Sequence, residues 1–301
     1  MIRYKDKSAA DAKAPAALMK GIYMTEGFAA KAVRGKFRRE LWGPFITALK
    51  EYELLKEGDR VAVCMSGGKD SALLGVLVDE LHRHSDFPFD VEYITMDPGY
   101  APENRAKLEE NAKTLGLPLR VFETNVFRVA NRQEKSPCYL CARMRRGHLY
   151  NFARELGCNK IALGHHMTDA AVTVLMGMIW GSQISGMLPR LSSTNFEGME
   201  LIRPLIRIKE DDIVRWAKYC GLEFLGCACS MTADDERFSS RRAWTKELMR
   251  SLEADCPDIE INLFNSTKNV MLDTLTGYKE HGTEHTFLER FAEGSFSTPD
   301  E

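Results

Sequence analysis

The sequence predicts an α/β protein, with a parallel five-stranded sheet covered by helices on both faces and helical additions at both ends. Three observations predict this class. Short apolar runs typical of buried strands alternate with helical segments, a Ser-Gly-Gly turn joins the first run to its helix, and polar or glycine turns follow later runs. Strands linked by crossover helices pair in parallel, so these turns are expected around one crevice at the carboxyl edge of the sheet.

The elements follow from the chain in order. Residues 14–52 have a helical composition that several glycines interrupt, so broken helices are expected there, the last over about 42–55. The predicted strands are DRVAVCM (59–65), DVEYITM (90–96), LPLRVFET (117–124), KIALG (160–164) and ELIRPL (200–205). The helices between them cover about 70–84, 101–116, 139–157 and 169–180, and later helices about 209–220, 236–253 and 258–276, before a polar tail.

Composition sets the broad class. The chain has 301 residues, of which 44% are hydrophobic and 28% charged, as is typical of a soluble globular protein. No apolar run approaches the ~20 residues that a membrane helix needs, and no signal peptide is evident, so a cytoplasmic location without membrane contact is expected. We divide the chain into a basic helical segment (1–57), a nucleotide-binding catalytic domain (58–230) and a helical region with a polar tail (231–301).

Charge is distributed unevenly, although the net charge is only −2. Residues 1–39 carry ten lysines and arginines against three acids, and residues from 253 onward carry eleven acids against three bases. Charge runs are usually solvated surfaces, but a basic end can also attract a polyanion such as RNA. The candidates for RNA contact in this segment are Arg34, Lys36, Arg38 and Arg39.

Eight cysteines in a reducing compartment are unlike a disulfide framework. We interpret four of them as ordinary buried small residues: Cys64, Cys158, Cys220 and Cys256. The other four form two pairs: Cys138 with Cys141, as C-x-x-C at a helix start, and Cys227 with Cys229. Three interpretations stay open, namely a four-iron cluster with three cysteine ligands, a zinc site of four sulfurs, and a redox pair or plain buried thiols.

The stretch VAVCMSGGKDSALL (61–74) carries the strongest functional signal. Gly67 and Gly68 let the backbone turn sharply after a buried strand and expose its N–H groups. The helix that begins at about Asp70 directs its N-terminal N–H groups and dipole into the same space. Lys69 adds a charge, and the serines at 66 and 71 add hydroxyl donors, so the turn predicts a phosphate cradle shorter than the Walker A loop.

Several motifs together are similar to one family. VAVCMSGGKDS, PCYLCARMRRGHLYNFARELGCNKIALGHHMTD, GMLPRL and IRPLIRIKEDDI resemble, in this order, the tRNA 2-thiocytidine synthetase family (TtcA-like). This family of Fe–S-dependent tRNA thiolases belongs to the PP-loop ATP pyrophosphatase superfamily, whose fold is adenine nucleotide alpha hydrolase-like. The resemblance runs from about Gly58 to Cys229.

The resemblance implies a [4Fe–4S] cluster whose open iron carries the sulfur to be transferred. Its ligands would be Cys138, Cys141 and a third cysteine, which the family places in a C-x-x-C stretch. This chain has C-x-C there, so the alignment needs a gap. We favour Cys229, with Cys227 as the alternate.

The resemblance also implies an ATP site and Mg²⁺. ATP-binding positions carried over from the family are Ala62, Met65, Ser66, Gly67, Gly68, Lys69, Asp70, Ser71, Met96, Gly164 and Asp169. Lys69, Asp70, Arg145 and Asp169 are the catalytic candidates. The family usually shows two consecutive acids where this chain has Thr168-Asp169, so only the second survives. Of His165 and His166, one is interpreted as a helix cap and the other as a packing residue, rather than either as an acid–base catalyst.

The implied reaction is ATP-dependent thiolation of a pyrimidine, most simply an anticodon-loop cytidine of tRNA. The C2 oxygen would attack the α-phosphorus and release pyrophosphate, after which sulfur replaces the oxygen and AMP leaves. Backbone phosphates would contact Arg143, Arg146, Arg237, Arg241 and Arg242 in addition to the basic N-terminal segment. Implied partners are tRNA, a sulfur donor such as a cysteine desulfurase or free sulfide, and a second copy in a homodimer.

Two alternatives stay open. One is a PP-loop enzyme that adenylates a small molecule for sulfur insertion or removal, and the other is a non-enzymatic Fe–S or nucleotide-sensing module.

Overall fold

The computed structural model describes residues 27–124, 137–224 and 236–292, with the backbone alone for 137–143 and 236–240. Cys227 and Cys229, which are candidate cluster ligands, therefore lie outside the described residues. So does the basic segment before Gly27.

A mostly parallel sheet forms the centre of the fold, which confirms the predicted class. Its order is β3-β2-β1-β4-β6-β5. The strands are β1 (Arg60–Cys64), β2 (Asp90–Asp97), β3 (Leu119–Glu123), β4 (Lys160–Ala162), β5 (Arg190–Ser192) and β6 (Glu200–Ile202). The first four and β6 pair in parallel, whereas β5 pairs with β6 in antiparallel register. The prediction of five strands misses this edge strand, because its sequence Arg-Leu-Ser is not fully buried and contains no apolar run.

Helices connect and cover these strands. They are α1 (Phe28–Arg34), α2 (Gly43–Glu51), α3 (Lys69–His84), α4 (Pro102–Thr114), α5 (Pro137–Glu155), α6 (Met167–Gly181), α7 (Glu210–Tyr219), α8 (Glu236–Glu253), α9 (Ile259–Ser266) and α10 (Phe287–Ala292). A π-helical turn (Arg38–Trp42) leads into α2.

The carboxyl-terminal part departs from the prediction. The helix expected over 258–276 ends at Ser266, and a hairpin of β7 (Gly277–Glu280) and β8 (Thr283–Thr286) follows. His281 and Gly282 join these strands with φ of 50° and 84°, as a two-residue turn with positive φ at both positions requires. The hairpin strands are exposed, so no apolar alternation indicates them.

Both faces of the sheet are buried. On one face Val61, Val63 and Leu73 pack with the N-terminal helices and with Trp216 of α7. On the other face Ala62 and Ile161 pack against α5. The described part of the N-terminal segment is joined to this core, since the Trp216 indole donates to the carbonyl of Ala29 at 3.4 Å. Burial on both faces explains why β1 is a continuous apolar run.

The isolated cysteines mostly follow the interpretation as small core residues. Cys64, Cys158 and Cys220 are buried, and burial raises the pKa of the Cys64 and Cys220 thiols to about 12 and that of Cys158 to about 11. Such thiols stay protonated and are poor nucleophiles. Cys256 is partly exposed, so the prediction of a buried residue is wrong there.

Among the described residues, no helix has both the length and the apolar character that spanning a membrane would take.

Candidate functional site

Three turns meet at the carboxyl edge of the sheet, after the adjacent strands β1, β2 and β4. A Cβ built on Gly164, after β4, would lie 3.1 Å from the backbone carbon of Asp70 and from the backbone nitrogen of Ser71. The two turns are therefore in direct contact, as predicted from their places at the strand ends.

The Ser-Gly-Gly turn has the geometry of an anion cradle. Gly67 has φ of 84°, and a Cβ on it would lie 3.1 Å from Leu108 Cδ1, so both backbone and space favour glycine. Helix α3 begins directly afterwards, and its N-cap, Gly68, provides no side-chain cap for the first N–H groups. Ser71 Oγ accepts from the Ser66 backbone N–H at 3.1 Å and donates to the Gly68 carbonyl at 2.9 Å, which holds the loop closed.

Lys69 lies between two carboxylates. Its Nζ is 2.9 Å from Glu210 Oε1 and 3.1 Å from Asp70 Oδ1. Burial alone would lower the pKa of Lys69, but these neighbours outweigh it and the pKa is raised. Glu210, the first residue of α7, also binds the ammonium group of Lys246 on α8. Burial opposes ionisation of Glu210, yet the hydrogen bonds from Lys246 and Lys69 lower its pKa to about 2.

Asp70 and Asp169 converge on one histidine. His166 Nε2 lies 3.4 Å from Asp169 Oδ2 and 3.7 Å from Asp70 Oδ1. The His166 ring accepts from the Asp169 backbone N–H through Nδ1, and the Asp169 carboxylate accepts from the His166 backbone N–H, which forms a capping box at the start of α6. A neutral His166 ring with this bond carries its proton on Nε2, facing both carboxylates. The expectation that one histidine caps the helix is thus met by His166.

The two aspartates differ in their remaining partners. Asp169 Oδ1 accepts from the guanidinium of Arg242 on α8. Asp70 Oδ1 is buried without a hydrogen bond, although Lys69 Nζ is nearby. A buried carboxylate oxygen with spare acceptor capacity, beside a second carboxylate, fits a hard divalent cation.

His165 is only partly buried, unlike His166. Burial, followed by the charge of Arg203, lowers its pKa, and its buried Nδ1 has no hydrogen-bond partner. The ring is therefore neutral at physiological pH.

The predicted adenosine side lies at the ends of β1 and β2. The Met65 backbone N–H donates to the Ile94 carbonyl at 2.8 Å, which places Met65 beside the end of β2. Met96 is buried there, and Thr95 Oγ1 is buried without a hydrogen-bond partner. Ala62 is farther away, in the middle of β1 and fully buried under α5, so its side chain offers no surface to a ligand.

Helix α5 carries the C-x-x-C pair at its start, as predicted. Cys138 and Cys141 fall in its first turns, and Arg145 follows one turn later, half-buried. Arg146 is exposed, and nothing is described of the Arg143 side chain. Among the described residues no cluster of three or more His, Cys, Asp or Glu side chains is arranged to hold a metal. The side chains of the four paired cysteines are not among those that the structure describes.

The predicted RNA-contacting residues near the N-terminus have different surroundings. Arg34 Nε lies 2.9 Å from Glu80 Oε1, and Lys36 Nζ lies 4.0 Å from the centre of the Tyr219 ring. Lys36, Arg38 and Arg39 also line an open cleft of about 770 Å³ together with Arg207. Three of the four residues therefore line the same cleft, whereas Arg34 is paired with Glu80.

Sequence reasoning missed Glu210 and Lys246. The acidic start of α7, KEDDI, is a visible helix-start signal, but nothing in it indicates contact with Lys69. These side chains come from separate helices, so their contact depends on tertiary packing.

The chain is similar to a described protein family and to curated proteins. The family model described as PP-loop domain matches residues 44–250. The tRNA-cytidine(32) 2-sulfurtransferase of Syntrophotalea carbinolica is 33% identical over 226 residues, covering 74% of this chain and 86% of the relative. The protein of the same name from Paracidovorax citrulli is 34% identical over 244 residues, covering 79% and 76%.

A solved structure is also similar. The U34-tRNA thiolase NcsA from Methanococcus maripaludis, determined with its [4Fe-4S] cluster, superposes with a TM-score of 0.60 at 20% identity, covering 80% of this chain and 82% of that one. At this identity the similarity concerns the fold.

Proposed function

The chain belongs to the PP-loop domain family and to the tRNA-cytidine(32) 2-sulfurtransferases within it, and from this we propose that it uses ATP to replace the C2 oxygen of a tRNA cytidine with sulfur. The observation that carries the proposal is the contact between the Ser-Gly-Gly turn and the Gly164 turn. It brings Lys69, Asp70 and Asp169 to one edge of the sheet in a chain whose curated relatives are tRNA sulfurtransferases.

The first step is activation of an oxygen that leaves poorly. The C2 oxygen of the base attacks the α-phosphorus of ATP, an O–P bond forms, and pyrophosphate departs. The N–H groups at the start of α3 and the Lys69 ammonium group stabilise the negative charge that grows on that leaving group. Because Glu210 and Asp70 both hold Lys69, its charge is already in place before ATP arrives.

Asp70 and Asp169 support a Mg²⁺ site beside the phosphates. Carboxylate oxygens are ligands that Mg²⁺ prefers, and the cation would neutralise phosphate charge. His166 orients the Asp169 carboxylate through the capping box, and its Nε2 lies 3.7 Å from Asp70 Oδ1.

The second step is replacement of the activated oxygen. Sulfur forms a bond to C2, the C–O bond breaks, and AMP leaves. We propose that Cys138, Cys141 and Cys229 hold an iron–sulfur site, with Cys227 as the alternate third ligand. Such a site would supply the sulfide chemistry of this step. The start of α5 supports this assignment, because a helix N-terminus favours thiolates and both cysteines of the C-x-x-C pair fall there. Arg145, one turn further along α5, is proposed to contact the phosphates or the activated base.

The remaining partners follow from the reaction. We propose that tRNA contacts Arg34, Lys36, Arg38 and Arg39, together with the arginines of α5. The sulfur donor would be a cysteine desulfurase or free sulfide, and the enzyme is expected to act as a homodimer.

The test is mass spectrometry of nucleosides from the tRNA of a strain that lacks this gene. We expect loss of 2-thiocytidine, restored by the wild-type gene and by Lys50→Ala, an exposed lysine on α2. Lys69→Ala should fail to restore it. An unchanged thionucleoside profile in the deletion strain would overturn the tRNA assignment and favour a small-molecule substrate.

A further inference from the structure

Two tryptophans form an exposed aromatic surface outside the ATP site. Trp180, near the end of α6, and Trp244, on α8, have ring centroids 5.4 Å apart at an interplanar angle of 76°. Each keeps about half of its surface exposed, 44% and 51%. The chain has four tryptophans, and the other two, Trp42 and Trp216, are buried. We call the exposed pair with the adjacent Arg241 the tryptophan platform.

The platform is held rigidly. The Trp180 indole donates to Thr245 Oγ1 at 3.2 Å, and Thr245 Oγ1 donates to the Arg241 carbonyl at 2.7 Å. Thr245 itself is fully buried. The Trp180 ring is thereby fixed to α8, so little rotamer freedom remains to be lost when a ligand stacks on it.

Charge decides which kind of ligand fits. The guanidinium carbon of Arg241 lies 5.1 Å from the centre of the Trp180 ring, within cation–π distance. An aromatic surface with an attached cation matches a ligand that is aromatic and anionic, which is the character of a nucleotide in a single strand. A purely apolar partner would have to desolvate this guanidinium.

The position connects the platform with the catalytic edge. Arg242, the neighbour of Arg241, reaches Asp169, so one short stretch of α8 serves both places. Along α6, Trp180 follows Asp169 by eleven residues, which is roughly 16 Å at 1.5 Å per residue. At this distance from Asp169, the platform is too far away to contact the base that is modified, but it is near enough to contact a neighbouring base.

We propose that the tryptophan platform stacks an unpaired nucleobase of the RNA substrate near the base that is modified. The proposal rests on the proposed function, since it takes RNA as the substrate. Sequence-tolerant stacking on tryptophan would hold a single-stranded loop and would discriminate against a duplex, whose bases are already stacked.

The experiment measures binding of an unmodified anticodon stem–loop RNA by the quenching of intrinsic tryptophan fluorescence. Because Trp42 and Trp216 are buried, quenching reports mainly the platform. We expect the stem–loop to quench the wild-type protein and a blunt duplex of the same stem to quench it much less. Affinity of the variants is then measured with a fluorescently labelled stem–loop, which does not depend on the protein's own tryptophans.

Trp244→Ala is the primary variant, because its ring is the more exposed of the two. We expect it to weaken stem–loop binding about 5- to 150-fold, the range for loss of one stacked base, while Trp244→Phe retains most of the affinity. Trp180→Ala should give the same loss, with circular dichroism checking that the fold survives removal of the Thr245 bond. Leu252→Ala, another exposed apolar residue on α8, is the matched control and should bind like the wild type.

Three results would overturn the proposal. The first is that Trp244→Ala and Trp180→Ala bind the stem–loop as tightly as the wild type, while the wild-type gene restores 2-thiocytidine. This result would contradict the platform but not the proposed function. The second is unchanged affinity with a shift from dimer to monomer in sedimentation, which assigns the platform to a second copy of this chain. The third is a wild-type protein that binds neither tRNA nor the stem–loop, which contradicts the proposed function as well.

Discussion

Lys69 Nζ lies 2.9 Å from Glu210 Oε1, so the lysine of the phosphate loop is paired with a residue that begins a different helix. The same carboxylate binds Lys246 on α8, and Arg242 on that helix binds Asp169. Helix α8 therefore contacts two acidic residues of the site, Glu210 and Asp169.

The first prediction concerns Glu210→Gln. The substitution leaves Lys69 with only Asp70 to hold it, so its ammonium group loses its fixed position opposite the leaving pyrophosphate. We expect kcat/KM for tRNA-dependent pyrophosphate release to fall about 10-fold, since loss of fixed geometry costs up to about 100-fold. Asp211→Asn, an exposed acid in the same helical turn, is the control. Wild-type kinetics in Glu210→Gln would refute a positioning role.

The second prediction is the acid stability of the same contact. The pKa of Glu210 is lowered from 4.5 to about 2, so its contribution to stability is complete above pH 4.5 and is lost as the pH falls towards 2. Urea unfolding should therefore show the largest difference between wild type and Glu210→Gln at about pH 6. At about pH 3.5 that difference should narrow by about 1–2 kcal/mol. A difference independent of pH would show that the Glu210 carboxylate titrates normally.

The sequence predicted those parts of the fold that depend on residues adjacent to one another in the chain. The apolar run of β1 and the glycine turn after it are adjacent in sequence, and the structure has both where expected. The edge strand β5 and the hairpin β7–β8 were missed because they are short or exposed and show no apolar periodicity. The Lys69–Glu210 contact joins residues far apart in sequence, and only packing of α7 against α3 brings them together.

The third prediction tests the contact between the two turns. In Gly164→Ala the new methyl group would lie 3.1 Å from the backbone of Asp70 and Ser71, tighter than ordinary van der Waals contact. The start of α3 has to shift by a few tenths of an ångström, which moves the N–H groups of the phosphate cradle. We expect about 10-fold weaker ATP binding in calorimetry, because small displacements in a preorganised site cost that much.

Gly147→Ala provides the comparison for that experiment. A Cβ at Gly147 meets nothing within 4 Å, and this position is in the interior of α5. It should keep wild-type ATP affinity and gain up to about 1 kcal/mol of helix stability. Equal ATP affinity in both alanine variants would contradict the importance of the contact.

The fourth prediction concerns the buried lysine of β4. Lys160 Nζ donates to the Leu54 carbonyl at 2.9 Å and lies 2.8 Å from Glu200 and 3.3 Å from Asp59. Lys160→Met would leave the buried Asp59 carboxylate without its cation, although Glu200 would keep its pairing with Arg190. We therefore expect a loss of about 3–5 kcal/mol in the free energy of unfolding measured with urea. Lys218→Met on the exposed side of α7 should cost less than about 0.5 kcal/mol. A cost near zero for Lys160→Met would show that the pocket tolerates Asp59 without a cation.

The fifth prediction separates the cysteines by what they bind. Protein purified without oxygen should contain iron and acid-labile sulfide and absorb visible light, as thiolate-bound iron–sulfur clusters do. Cys138→Ala and Cys141→Ala should each lose most of the iron. Of Cys227→Ala and Cys229→Ala, only one should do so, and we expect it to be Cys229→Ala. Cys256→Ala, at a partly exposed cysteine that belongs to neither pair, should retain the full iron content.

The pattern of loss distinguishes the competing metal sites. A zinc site of four sulfurs would make all four paired cysteines necessary and would yield a colourless, zinc-replete protein. A redox pair would bind no stoichiometric metal, and alanine at Cys227 or Cys229 would leave the composition unchanged. Iron loss in three of the four variants is expected only when three thiolates hold the cluster and one iron is left without a cysteine ligand, which is the arrangement that the proposed sulfur transfer would use.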